Sequence, residues 1–188
     1  KANTGNSLVG MGGAIYVNNS DVTISNSHIN ENVALLGGGN AGAAFYLKGN
    51  GLEKTVRIVD TQIQGNSCNT GSAIYAENIN VELNRVLISG NSIWGNIGAP
   101  VYLINAPMSI RNCTITGNDC GTCNGTAGGI TFSNNVEPVS IVNTIIWDNA
   151  SPQFSFYNTN FLEILYSNLQ GGLPEATDLH INDDMMEY

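Results

Sequence analysis

The chain has 188 residues, of which 11% are charged, and its formal net charge is −9 at neutral pH. This balance excludes a basic surface for nucleic acid, because phosphate contacts need clustered Lys and Arg. The 42% of hydrophobic residues can fill a core, whereas the 22 glycines and many asparagines disfavour long helices. No apolar run approaches the ~20 residues of a membrane-spanning helix.

The first residues resemble the end of a repeated unit. Asn6, with the Ser and Leu that follow it, is similar to Asn91-Ser-Ile93 further along the chain. We therefore expect residues 1–8 to form a partial coil. Because an open coil presents unpaired backbone groups, it predicts end-to-end continuation into preceding sequence or self-association.

A glycine-led segment then recurs, with an aromatic residue at its fifth position. The five copies are Gly12–Val17, Gly42–Leu47, Gly71–Ala76, Gly98–Leu103 and Gly128–Ser133. Each is followed by two apolar residues two positions apart, such as Val22 and Ile24. Because alternate side chains of a strand point to opposite faces, this spacing is typical of short β-strands with one buried face.

Each unit closes with an Ile-x-x-Asn box. The closing asparagines are Asn32, Asn66, Asn91, Asn118 and Asn149, which subtraction places 34, 25, 27 and 31 residues apart. Three short strands and their turns would make one triangular coil, and stacked coils would share a continuous core. The sequence therefore predicts that residues 1–172 form an all-β, right-handed, single-stranded parallel β-helix of about six coils.

The closing asparagines are expected to stack at one corner as a hydrogen-bonded ladder. Asparagine tolerates the left-handed backbone that a tight corner needs, so we expect these residues to adopt it. A second corner column contains Asn26, Asp60, Asn112 and Asn143, interrupted by Arg85. Beyond the coils, residues 173–188 are acidic and are expected to cap the last coil, with a disordered tail as the alternative.

These motifs also carry a family resemblance. Gly12–Ile15 reads GGAI and is paired with a box ending in Asn, which resembles the repeats of chlamydial polymorphic outer-membrane proteins, a group of autotransporter-like passengers. The family's second motif has Phe where this chain has Ile. From Asn143 onward the chain is more similar to the general β-helix repeat of secreted bacterial proteins. The resemblance implies a β-helical adhesin, although the same fold also hosts lyases.

Outward positions supply the candidate binding residues. The tyrosines of the first four segments lie between two apolar neighbours expected inside, and the aromatic residue of the fifth segment has the same position in it, so these rings should form an outward stripe. The stripe comprises Tyr16, Tyr46, Tyr75, Tyr102 and Phe132. It is either a platform for a glycan or protein partner or a stack that stabilises neighbouring coils.

The four cysteines are Cys68, Cys113, Cys120 and Cys123. Cys120 and Cys123 have C-x-x-C spacing but lie in a Gly/Asn loop without a nearby His, which favours a local disulfide over a zinc or redox site. Cys113 falls in an inward column and is expected to be a buried free thiol. No metal ligand set or cofactor motif is recognised.

Charged residues give little support to catalysis. Lys48 with Glu77, and Arg57 with Glu82, occupy positions expected to form ion pairs between coils. The basic residues then left as candidate bases for a lyase are Arg85, Arg111, Lys54 and Lys1, without the clustered Asp residues that such enzymes use for calcium. The sequence therefore favours no catalytic residues, and whether the chain is an enzyme stays open.

The sequence as a whole favours a non-enzymatic secreted or cell-surface solenoid. It would act in adhesion, surface structure or filament formation, with a protein or glycan partner. The alternative is a carbohydrate-active β-helix, either related to polysaccharide lyases or a glycan-binding module that uses the aromatic stripe.

Overall fold

The structure, a computed structural model, describes residues 4–6, 13–35, 41–95, 98–121, 126–135, 137–158, 161–171 and 180–184. Within these ranges the chain is an all-β solenoid, and every strand pairs with its neighbours in parallel. No helix in the described ranges is long and apolar enough to cross a membrane.

The strands follow one another coil by coil. A first strand is β1 (Thr4–Asn6), and the next coil contains β2 (Ile15–Asn18), β3 (Val22–Ser25), β4 (His28–Asn30) and β5 (Val33–Leu35). Then come β6 (Phe45–Lys48), β7 (Thr55–Val59), β8 (Gln62–Gln64), β9 (Ser67–Cys68), β10 (Ile74–Glu77), β11 (Asn80–Asn84), β12 (Leu87–Ser89) and β13 (Ser92–Ile93). The last coils contain β14 (Val101–Ile104), β15 (Met108–Arg111), β16 (Thr114–Thr116), β17 (Ile130–Ser133), β18 (Val139–Val142), β19 (Ile145–Trp147), β20 (Phe154–Tyr157), β21 (Phe161–Leu165), β22 (Asn168–Leu169) and β23 (His180–Asp184).

These strands stack into four sheets. Sheet 1 is β2-β6-β10-β14-β17-β20, sheet 2 is β3-β7-β11-β15-β18-β21-β23, sheet 3 is β4-β8-β12-β16-β19-β22, and sheet 4 is β1-β5-β9-β13. The six strands of sheet 1 are separated by five complete turns of the chain. The predicted parallel solenoid is confirmed, with about five turns against the six coils expected. Sheet 4 was not expected, since the sequence predicted three strands per coil.

The core is a set of columns that run through the coils. One column contains Val22, Val56, Val81, Met108, Val139 and Leu162, and its neighbour contains Ile24, Ile58, Leu83, Ile110, Ile141 and Ile164. From the second coil onward the members of both columns are exposed by at most 2%. In each strand the side chain between them points outward, which is the alternation that the sequence predicts.

At three of the corners between sheets, most coils contain one residue with left-handed backbone. Between sheets 1 and 2 these are Asn19, Asn78, Asn105, Asn134 and Asn158; between sheets 2 and 3 they are Asn26, Asp60, Arg85, Asn112, Asn143 and Tyr166. At the end of sheet 3 they are Glu31, Gly65, Gly90, Gly117 and Asp148. We call these the first, second and third corner.

The asparagine ladder lies just after the third corner, and its hydrogen bonding is confirmed. Its five members are exposed by at most 7%. Each of the first four amides donates to the Oδ1 atom of the next ladder residue at 2.8–2.9 Å, and the same oxygen accepts the previous residue's backbone N–H at 3.0–3.1 Å. The last amide, that of Asn149, donates to Oε1 of Gln153 at 2.7 Å. The expected left-handed conformation was wrong. It belongs to the residue before each ladder asparagine, so the ladder side chain turns inward.

The two ends of the stack differ from expectation. β1 pairs with β5 so that Asn6 lies opposite Leu35, three residues past Asn32. The predicted equivalence of Asn6 with Asn91 was therefore wrong, because the strand register places Asn6 three residues away from the ladder position. At the other end β23 extends sheet 2 in parallel with β21, Leu162 lying opposite Ile181. The rest of the segment 173–188 lies outside the described residues, so the cap stays a prediction.

Candidate binding surface

Four tyrosines form a continuous ladder on the outer face of sheet 1. Tyr16, Tyr46, Tyr75 and Tyr102 lie opposite one another in successive strands. Their ring centroids are 5.6, 4.9 and 5.9 Å apart, and the last two pairs are stacked. The sequence thus predicted the alignment of these four residues correctly.

Most of this tyrosine ladder is covered. Tyr16 is 48% exposed, but Tyr46 is only 6% exposed. Burial raises the pKa of the Tyr46 phenol, with the Glu77 carboxylate adding to the effect. Burial also raises the pKa of Tyr75, whose ring lies between those of Tyr46 and Tyr102. Stacking and desolvation are the marks of side chains that stabilise adjacent coils, so only the Tyr16 end offers a large exposed ring.

Phe132 does not belong to the stripe, and its assignment there was wrong. Thr131 is the residue opposite Tyr102, whereas Phe132 lies opposite Leu103 in an inward column. Phe132 is fully buried and stacks with Phe154 and Phe156 inside the solenoid, at centroid distances of 6.3 and 5.3 Å. The fifth glycine-led segment is shifted by one residue relative to the other four.

The outer face of sheet 3 has larger exposed apolar side chains than the inner part of the tyrosine ladder on sheet 1. Its first outward column contains His28, Gln62, Leu87, Thr114, Ile145 and Asn168, and its second contains Asn30, Gln64, Ser89, Thr116 and Trp147. Ile145 is 47% exposed and Trp147 is 46% exposed. At the adjoining second corner Tyr166 is 58% exposed. We call Ile145, Trp147 and Tyr166 the apolar patch.

Polar side chains surround the apolar patch. Thr114 lies opposite Ile145 and Thr116 lies opposite Trp147 in the neighbouring strand. Within the part of the chain that the structure describes, neither threonine hydroxyl nor the Trp147 indole N–H has a hydrogen-bond partner in the protein. At the second corner Asn143 donates from Nδ2 to Oδ1 of Asn112 at 2.6 Å. The surface therefore combines exposed apolar side chains with free hydroxyl and indole groups.

The sequence analysis missed this patch, although the sequence contains a signal for it. Ile145, Ile146 and Trp147 are three consecutive apolar residues in one short strand. A strand with one buried face needs only the middle one inside, and Ile146 is fully buried. Apolar residues at both outward positions of a strand point to an interaction surface.

Four of the cationic side chains form ion pairs, one of them between Lys54 and Asp21 at 2.9 Å, whereas Arg111 forms none among the described residues. Arg57 and Glu82 are 2.9 Å apart and Lys48 and Glu77 are 3.8 Å apart, as predicted. Arg85 was expected to be free. Instead its Nε and Nη2 atoms donate to the two carboxylate oxygens of Asp60 at 2.6 and 2.8 Å.

The ion pair between Arg85 and Asp60 shifts the pKa of both side chains. The hydrogen bonds from Arg85 lower the pKa of the Asp60 carboxyl and, in return, raise the pKa of the Arg85 guanidinium. An Arg85 guanidinium held protonated in this way cannot take a proton from a substrate, and a carboxylate with a lowered pKa is a weaker base. Among the described residues no cluster of His, Cys, Asp or Glu has the arrangement of a metal site.

The cysteines occupy two environments. Cys68 and Cys113 are buried free thiols, and burial raises the pKa of each to about 11. The prediction for Cys113 is therefore confirmed. Cys120 is disulfide-bonded. Cys123, its predicted partner, lies outside the described residues, so this pairing stays a prediction.

Comparison with known proteins adds no relative. No protein family matches the chain, and neither a curated protein nor a solved structure matches it.

Proposed function

We propose that this chain is a non-enzymatic solenoid of a secreted or cell-surface protein, acting in adhesion or surface structure by binding a partner along its side. The observation that carries the proposal is the apolar patch on the outer face of sheet 3, with Ile145 and Trp147 nearly half exposed. Large apolar groups that lie together in a polar surround are typical of interaction surfaces, and Trp and Tyr often supply most of the binding energy there.

The solenoid architecture supports this proposal physically. Stacked coils hold outward side chains in straight columns with a spacing of about 4.8 Å. A partner would therefore meet a preorganised surface and lose little free energy to ordering the protein side. The tyrosine ladder on sheet 1 contributes to the stability of the solenoid, because its inner rings are stacked and largely covered.

The extracellular part of the proposal draws on two further observations. Cys120 is disulfide-bonded, and disulfides persist mainly in oxidising compartments outside the cytosol. The GGAI sequence of Gly12–Ile15 and the closing Asn boxes resemble repeats of chlamydial polymorphic outer-membrane proteins, and we propose an adhesin-like role of that kind.

The test is a binding screen on immobilised glycans and extracellular-matrix proteins, combined with an assay for unsaturated sugars released from acidic polysaccharides. We expect wild-type protein to bind at least one immobilised macromolecule and to release no unsaturated product. Trp147→Ala should weaken binding about tenfold, which corresponds to ~1.4 kcal/mol.

Trp94→Ala is the matched control, because Trp94 is 54% exposed but lies outside sheet 3. It should bind like wild type. Release of unsaturated product that Arg85→Ala abolishes would overturn the proposal in favour of a lyase. Failure to bind anything in the screen would also contradict it.

A further inference from the structure

The lack of charged side chains in the outward columns of sheet 3 restricts the chemical class of ligand that this face can bind. Its two outward columns contain eleven side chains, and none of them is Asp, Glu, Lys or Arg. The outer face of sheet 2, by contrast, carries Arg57, Glu82 and Glu163 in one column. Columns without Asp, Glu, Lys or Arg, on a protein of net charge −9, offer little to compensate the charge of an ionic ligand, so we expect an uncharged occupant.

The hydrogen-bonding groups on the outer face of sheet 3 further restrict the class of ligand. The hydroxyls of Thr114 and Thr116 and the indole N–H of Trp147 lie beside exposed apolar groups without protein partners among the described residues. An occupant with only apolar groups would leave these groups desolvated and unpaired, which costs free energy. Sugars present apolar C–H faces and hydroxyl edges on one ring, so they match both kinds of group at once.

The shape of the face indicates an elongated ligand. Sheet 3 has six strands, so the columns extend about 24 Å along the solenoid axis at ~4.8 Å for each of five steps. Ten of the eleven side chains carry an amide, a hydroxyl or an apolar group, in an order that differs from coil to coil, and His28 is the eleventh. A long chain of linked sugar rings could contact several of these groups along the columns.

From these three observations we infer that sheet 3 binds a neutral, unbranched polysaccharide, which lies along the columns with one sugar ring stacked on Trp147. The inference rests on the proposed function and specifies its partner. Trp147 supplies the stacking surface, Thr116 in the neighbouring strand supplies a hydroxyl next to it, and Ile145 and Tyr166 extend the apolar contact. The tyrosine ladder of sheet 1 is not part of this site.

The test is affinity gel electrophoresis with a soluble neutral polysaccharide cast in the gel. Hydroxyethyl cellulose, pullulan and mixed-linkage β-glucan, all neutral and with unbranched backbones, form the panel, and carboxymethyl cellulose provides an anionic version of the first backbone. We expect at least one neutral polysaccharide to retard the wild-type protein, and the anionic version to retard it less than hydroxyethyl cellulose does. Trp147→Ala should weaken retardation about tenfold, whereas Trp147→Phe should keep most of it.

Two controls make the result specific to sheet 3. Trp94→Ala should leave retardation unchanged, and Thr116→Val, which removes a hydroxyl while keeping the shape, should weaken it about threefold. Circular dichroism and melting curves should be the same for all variants, because the substituted side chains point outward.

Absence of retardation by the whole neutral panel would overturn the inference, as would equal losses in Trp147→Ala and Trp94→Ala. If an immobilised protein is instead bound in a Trp147-dependent way, the inference fails and the proposed adhesive function stands. If no immobilised macromolecule is bound at all, both fail.

Discussion

The second and third corners of the solenoid use asparagine in different ways. At the second corner Asn112 and Asn143 themselves adopt the left-handed backbone, and their side chains are exposed. At the third corner a preceding residue, such as Gly90, is left-handed, and the ladder residue Asn91 is fully buried. One corner uses the conformational tolerance of asparagine, and the other uses the hydrogen-bonding capacity of its amide.

This difference explains which residues can replace asparagine at each corner. The second corner also contains Asp60, Arg85 and Tyr166, since an exposed side chain there must tolerate the left-handed backbone but can form its hydrogen bonds with water instead of with the next coil. The ladder contains asparagine at every described position. An amide there must donate to a carbonyl of the preceding coil and to the next Oδ1 while accepting a backbone N–H, and among the side chains only Asn has this combination at this length.

The largest effect is expected at the centre of the ladder. Asn91→Ala removes the acceptor of the Asn66 backbone N–H and amide, and the donor to the Ile63 carbonyl. Buried groups left without partners cost ~1–3 kcal/mol each. We therefore expect the free energy of unfolding to fall by about 3 kcal/mol or more, measured by urea denaturation at neutral pH.

Glycine substitutions separate the two roles at these positions. Because Asn91 is not left-handed, Asn91→Gly should be at least as damaging as Asn91→Ala, with the added entropic cost of glycine. If Asn91→Gly were clearly milder than Asn91→Ala, the buried amide would not be the reason for the ladder.

The opposite order is expected at the second corner. Asn112 has a φ of 54°, where alanine costs ~1–2 kcal/mol and glycine costs little. Asn112→Ala should therefore lower the free energy of unfolding by about 1 kcal/mol, and Asn112→Gly should be close to wild type. Equal stability of the two variants in urea denaturation would show that the left-handed backbone is not what selects this residue.

The smallest effect concerns charge at the second corner. The hydrogen bonds from Arg85 hold the pKa of the Asp60 carboxyl below its usual value in the folded protein. A lowered folded pKa gives stability that is present above the unfolded pKa and is lost as the pH falls through the folded pKa. Both groups are exposed, so the contribution is small.

Asp60→Asn should thus be slightly less stable than wild type at neutral pH. The difference should shrink as the pH falls below the usual pKa range of Asp and vanish once Asp60 is protonated in the folded protein. Urea denaturation of both proteins over an acidic pH series measures this convergence. A difference that stays constant with pH would mean that the ion pair contributes nothing and that the substitution acts through the backbone.

The sequence predicted the inward columns because strand periodicity depends on adjacent residues alone. It also predicted the ladder, since an Ile-x-x-Asn box recurs in five places. It did not identify the left-handed positions, although a signal was present: Gly precedes Asn at Gly65, Gly90 and Gly117. Asparagine is compatible with both roles, so the residue type alone could not separate them.

The assignment of Phe132 failed for a different reason. The fifth segment was aligned by matching its aromatic ring to the tyrosines, whereas the structure aligns Ile130 with Val101. Strand alternation places Ile130 and Phe132 inward and Thr131 on the outer side. Matching the aromatic positions of the segments gave the opposite result, and only alternation has a physical basis. The apolar patch of sheet 3 was missed because outward apolar residues contribute nothing to the repeat itself.

The asparagine ladder also allows coils of different length to stack in the same register. Its asparagines are separated by as many as 34 and as few as 25 residues, yet the amide-to-Oδ1 distances stay at 2.8–2.9 Å. Each turn therefore brings the chain back into register with the neighbouring turns. Additional residues in one turn do not displace the columns of the next turn. The Gly51 position, where an added Cβ would meet nothing within 4 Å, offers a place to graft a foreign peptide or a label. A library of such insertions would change the circumference of one turn and leave the spacing of the sheet 3 columns intact.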